Sequence, residues 1–159
     1  MNYHAYSNVL LCPTSYLIDS LQYTELAQKI TENNNYNYGL AESNIGYSAN
    51  GDSDSWLYHE EISKPKNFAF TPEIGNNMDG FWPQNIRILP LCKENLIANL
   101  NAAESAFNLI DVKMKSSYNT QKSDFLSLNL LKIGFDDANN VSIEIIENEN
   151  YVIQSPINI

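Results

Sequence analysis

Residues 2–13 read Asn-Tyr-His-Ala-Tyr-Ser-Asn-Val-Leu-Leu-Cys-Pro, "NYHAYSNVLLCP". The run "NVLLCP" is short, continuously apolar and closed by Pro13, which predicts a buried strand and its exit. His4 stands just ahead of that run, so an imidazole is expected at the end of a core strand. A lone histidine is more often a structural or surface residue than a ligand, and His59 in "WLYHEE" reads as an exposed one. Neither histidine forms a local two-ligand motif: "HAYS" and "HEEI" both lack a glutamate three residues on.

Outward from this stretch, "YTELAQKIT" sets Leu26, Ala27 and Ile30 at helical spacing with Thr24 as N-cap. The polar "NNNYNYG" ends that helix, and residues 40–65 read as irregular, with "ANGDSDS" a surface loop. "NFAFTPEIG" reads as a buried strand stopped by Pro72. After Pro90, Leu96, Leu100, Ala103 and Phe107 recur at steps of about four and predict one amphipathic helix. Beyond residue 107 the pattern changes to "LIDVKMKSS", "FLSLNLLKIGF", "VSIEIIE" and "YVIQS", strands at hairpin spacing. The expected division is residues 1–107 as an α/β part and residues 108–159 as the start of a β-sandwich-like module.

The chain has 159 residues, 43% hydrophobic and 11% aromatic, enough to bury a core. Its net charge of −10, with Arg87 as the single arginine, argues against nucleic acid and anionic membranes as partners. No stretch is long and apolar enough to span a bilayer, and no secretory leader precedes His4. Cys12 and Cys92 could pair or stay as two buried thiols.

Glu73, at the end of an apolar strand, is a candidate for proton transfer because partial desolvation raises a carboxyl pKa; a surface cap or pair is the plainer reading. Tyr47 opens "YSANGDSDSWLY" ahead of a glycine-containing loop on which it could swing. The same loop lacks the twelve-residue pattern and terminal glutamate of a calcium site.

Together, "HAYSNVLLCP", "YSANGDSDSWLY", "FAFTPEIG" and "FWPQNIRILPLCKEN" resemble, in order and spacing, the C-terminal half of the zinc metallocarboxypeptidases, the carboxypeptidase A/B-like enzymes and especially their bacterial secreted members. The resemblance covers about residues 2–105. It implies a mixed sheet with packed helices, His4 as a zinc ligand, and Glu73 as the general base that takes a proton from zinc-bound water and returns it to the leaving amine. It further implies Tyr47 as a clamp on the scissile region, Tyr6 and Ser7 lining the substrate cleft, and Asp54 at a specificity-pocket position. There an aspartate favours C-terminal Lys or Arg. Ser55 stands where the family more often has aspartate. The partners so implied are peptide or protein C-termini, and the location extracellular or periplasmic.

The family's upstream H-x-x-E zinc pair and its substrate-binding arginines have no counterpart in this sequence, and Arg87 does not match them. The chain therefore reads as a fragment cut at both ends and inactive alone. Two other readings stay open. One is a non-catalytic peptide-binding or interaction module on a degenerate peptidase scaffold. The other is an unrelated extracellular β-rich protein with chance motifs, in which His4 and Glu73 lie far apart.

Overall fold

The computed structural model describes residues 1–14, 20–107, 110–119, 124–132 and 134. Strand β1, Val9–Leu11, is buried at every position, as a strand covered on both faces must be. It lies between β2, Asn37–Gly39, which runs parallel to it, and β3, Thr71–Glu73, which runs antiparallel. Helix α1, Ser20–Thr31, lies between the two parallel strands in sequence, as a parallel crossover requires. Its buried apolar residues Tyr23, Leu26, Ala27 and Ile30 follow the 3.6-residue period. The helix begins at Ser20, a turn before the expected cap, so Thr24 lies inside it and caps nothing.

Those four side chains join Leu10, Cys12, Tyr58, Phe70 and Ala98 in the core. Tyr23 is its centre. Its ring packs on Tyr58, Phe68 and Phe70 at centroid distances of 5.3, 4.8 and 5.2 Å, and its hydroxyl oxygen accepts the Ala69 N–H.

Several local expectations give way to tertiary structure. Within "NNNYNYG", β2 forms despite its polar sequence because main-chain bonds make it: Asn37 N–H donates to the Asn8 carbonyl, and Cys12 N–H to the Gly39 carbonyl. Residues 40–65 hold α2, Ala41–Ile45, and α3, Ser53–His59; the latter buries Asp54, Ser55 and Tyr58. Pro72 sits in the middle of β3 rather than ending it. Its carbonyl accepts the His4 N–H on the side away from β1, so its ring nitrogen also faces away and the pairing with Leu10 loses no bond.

The helix expected after Pro90 is two helices, α4 at Asn85–Glu94, with Pro90 inside it, and α5 at Leu96–Glu104. The expected stripe also points the other way. Leu96, Leu100 and Phe107 are 55%, 51% and 67% exposed, while Ala98 and Asn101 are buried. A polar contact fixes this rotation: Asn101 Nδ2 donates to the Lys29 carbonyl at the end of α1 (2.7 Å).

In the second part, β4 (Ile110–Asn119) and β5 (Asp124–Lys132) form an antiparallel hairpin, with a register shift between Met114 and Ser116. The strands expected in "VSIEIIE" and "YVIQS" lie outside the described residues, as does any sandwich they would complete.

Candidate functional site

Residues 2–4 run along β3 on the side opposite β1. Asn2 N–H donates to the Phe70 carbonyl, His4 N–H to Pro72, and Ile74 N–H to the His4 carbonyl. His4 and Glu73 are thereby a bridged pair, and His4 Nδ1 comes within 3.9 Å of Glu73 Oε1. The imidazole's Nε2 lies 2.9 Å from Asn2 Nδ2, whose amide also donates to Ser53 Oγ at 2.8 Å. The His4 side chain is half exposed, whereas Glu73 is buried. Burial raises the Glu73 pKa, and the nearby His4 partly offsets this.

The chain leaves this pair through a braced turn. Ser7 and Asn8 N–H groups both donate to the Gly75 carbonyl. Gly75 has φ 85°, and a β-carbon there would meet Asp79 Cβ at 3.1 Å. Asp79 accepts the Asn76 N–H and is forked by Arg87, Nε to Oδ1 at 2.6 Å and Nη2 to Oδ2 at 3.0 Å. The chain's one arginine is thus spent on holding the turn that follows Glu73. Its guanidinium and the Asn76 amide hold the Asp79 carboxyl down at about 2. A carboxyl depressed in the folded state stabilises above its unfolded pKa, near 4, and loses that contribution as pH falls toward 2. Asp79→Asn is therefore expected to flatten the acid limb of a urea-midpoint-versus-pH curve between pH 4 and 2. An unchanged limb would remove Asp79 from this account.

His4 and Glu73 open into a cleft of about 220 Å³ that is also lined by Tyr47 and Asp54. Tyr47 follows Gly46, the left-handed C-cap of α2, and is 63% exposed. Asp54 is 2% exposed, and its Oδ1 has no hydrogen-bond partner among the described residues. Burial first, then the charge of Asp52 and a hydrogen bond to it, push the Asp54 carboxyl up to about 6.

Tyr6 and Ser7 are not among the residues lining this cleft. The Tyr6 ring meets Phe81 edge-on at 5.1 Å, and Ser7 Oγ is buried without a partner among the described residues. His59 is exposed, as its sequence suggested, and its Nε2 donates to the Thr14 carbonyl at 2.7 Å.

Sequence reasoning missed Cys12, Thr14 and Asp52 in the cleft lining, together with Ser55, which ties two of them together. Thr14 N–H donates to Ser55 Oγ, and Ser55 Oγ donates to Asp52 Oδ2, across 41 and 3 residues. No periodicity carries a contact of that span. The β1 run did carry a signal for Cys12, whose thiol burial pushes up to about 12.

For a metal, the described residues offer little. Among them no group of three or more His, Cys, Asp or Glu side chains could hold an ion. One imidazole and one carboxylate do not fit a catalytic zinc, which takes three protein ligands and a water.

Comparison with known proteins gives a family. The model of the zinc carboxypeptidases matches residues 1–98, from ahead of β1 into α5, which is more than half of the 159-residue chain. No curated protein matches it. The chain belongs to the zinc carboxypeptidase family.

Proposed function

We propose that this chain supplies the third histidine ligand, the proton acceptor and the substrate-selecting wall of a secreted-type carboxypeptidase acting on peptide C-termini, and that it is inactive until the remaining metal ligands join it. One observation carries the reading: His4, Tyr47, Asp54 and Glu73, spread over three segments of sequence, meet in a single cleft. Chance motifs in an unrelated fold have no reason to converge.

Each side chain has a task its surroundings suit. Glu73 is buried, and burial raises its pKa, which makes it a better acceptor of a proton from a water and a donor of that proton to a departing amine. His4 keeps one face half exposed toward the cleft. Tyr47, exposed beside a left-handed glycine, can reach over a bound peptide. Asp54 holds an acceptor unmet among the described residues at the wall of the cleft, which favours a C-terminal Lys or Arg.

The test is release of C-terminal residues from an arginine-ended peptide, followed by chromatography. The 159-residue chain alone is expected to release none. Co-expressed with a segment carrying the family's H-x-x-E and substrate-binding arginines, it is expected to become zinc-dependent and active. Turnover by the lone chain, or none in the reconstituted one, overturns the proposal.

A further inference from the structure

We propose that Asn50 is a site of spontaneous deamidation, and that its conversion to isoaspartate reshapes the rim of the cleft by displacing Tyr47. The modification consumes only water and draws on none of the catalytic roles assigned above.

Two places in the sequence put a glycine directly after an asparagine or aspartate, Asn50–Gly51 and Asp79–Gly80. Every other asparagine is followed by a residue with a side chain, which crowds attack by the next main-chain nitrogen. Their surroundings separate the two pairs. Asp79 is buried, and its carboxylate is held by the Arg87 fork and the Asn76 N–H. The Gly80 N–H is spent on the Asn76 carbonyl (3.2 Å). Asn50 and Gly51 are both exposed. Gly51 has φ 74°, and a β-carbon there would meet nothing within 4 Å. Among the described residues neither the Gly51 N–H nor the Asn50 side chain has a hydrogen-bond partner.

The chemistry needs only these two residues. The Gly51 nitrogen gives its proton to solvent and attacks Asn50 Cγ. The N–Cγ bond forms, the Cγ–Nδ2 bond breaks, and the amide nitrogen takes a proton from water and leaves as ammonia. The nucleophile and the carbonyl are neighbours in one chain, so closing the five-membered ring needs only torsions that an untied segment can supply. Water then opens the ring. Addition at Cγ gives aspartate. Addition at the Asn50 main-chain carbonyl gives isoaspartate, in which the chain runs on through Cβ and Cγ. Nothing is oxidised or reduced. Both products carry one new negative charge, but only isoaspartate lengthens the backbone, by one methylene.

The added length must be taken up on one side of residue 50. Downstream the chain is fixed. Asp52 is the N-cap residue of α3, and its Oδ2 accepts from Ser55 Oγ (2.9 Å), which in turn accepts the Thr14 N–H (3.0 Å). Tyr58, 1% exposed, anchors the same helix against Tyr23. Upstream the chain is held far less. Helix α2 buries none of its residues, and among the described residues no hydrogen bond ties down residues 47–51. The slack therefore passes to the α2 side. Tyr47, Ser48 and Ala49 lie there, and all three line the cleft.

The experiment is warm incubation of the 159-residue chain at pH 6, pH 7 and pH 8, followed by peptide mapping with electron-transfer fragmentation, which tells isoaspartate from aspartate. Asn50 is expected to convert ahead of every other asparagine, with Asp79 unchanged. The rate is expected to rise about tenfold per pH unit, because the nucleophile is the deprotonated nitrogen. Asn50→Gln, which would need a six-membered ring, is expected to stay intact. NMR spectra read the second half. In the isoaspartate form the Tyr47, Ser48 and Ala49 signals are expected to shift while those of Ser55 and Tyr58 hold. Freshly prepared Asn50→Asp gains the charge without the methylene and is expected to leave Tyr47 near its parent position. Other asparagines converting while Asn50 stays intact would overturn the site. A Tyr47 signal unmoved by isoaspartate, or moved as far by Asn50→Asp, would overturn the reshaping of the cleft and leave the modification standing.

Discussion

Tyr23→Ala is expected to cost the fold about 3–5 kcal/mol, the range for deleting a large aromatic from a packed interior. Domains of this kind are stable by about 5–15 kcal/mol, so the variant should sit near or past the edge of folding. The reason is local and specific. Tyr23 is 0% exposed, and three aromatic rings from α3 and the segment entering β3 close around it. Its hydroxyl also satisfies the Ala69 N–H just ahead of β3. Tyr23→Phe separates the two contributions. It keeps the ring and loses the acceptor, and should cost about 1 kcal/mol. Urea unfolding followed by near-ultraviolet circular dichroism reads both. If Tyr23→Ala moved the midpoint no further than Tyr23→Phe, the ring would not be the centre of the core.

The second large effect falls on Glu73. In the reconstituted peptidase, Glu73→Gln should lower kcat by about 10²–10⁴, the usual worth of a positioned proton acceptor, and leave KM for an arginine-ended peptide close to its parent value. The amide nearly preserves shape and removes the basic oxygen. Folding should be unharmed, because the charge is unfavourable where it sits: burial raises the Glu73 pKa, so a neutral side chain relieves a cost at neutral pH. A fall in kcat accompanied by lower stability would instead mark Glu73 as a strut. A kcat unchanged by the substitution would mean that another group takes the proton.

The parts of this fold legible in the sequence are those made by apolar side chains in a short window. "NVLLCP" and the Leu26, Ala27, Ile30 stripe gave β1 and α1 because burial alone decides them. What stayed hidden is made by main-chain or polar contacts at long range. β2 is polar and is held by Asn8 and Cys12. Pro72 tolerates a strand because its carbonyl, not its missing N–H, meets His4. The face of α5 is chosen by Asn101 reaching the end of α1, which no hydrophobic period can report. The site divides the same way. His4, Tyr47, Asp54 and Glu73 were legible through an ordered set of motifs. Asp52 was not, since its place depends on Ser55 and Thr14 meeting across a fold that neither neighbourhood announces.

The outward stripe of Leu96, Leu100 and Phe107 also governs how the chain behaves in a tube. A net charge of −10 keeps copies apart at neutral pH by mutual repulsion. That repulsion vanishes near the isoelectric point of about 4.4, while the greasy flank stays as large as before. Colloidal stability should therefore pass through a minimum there, with light scattering that grows with protein concentration and fades on either side.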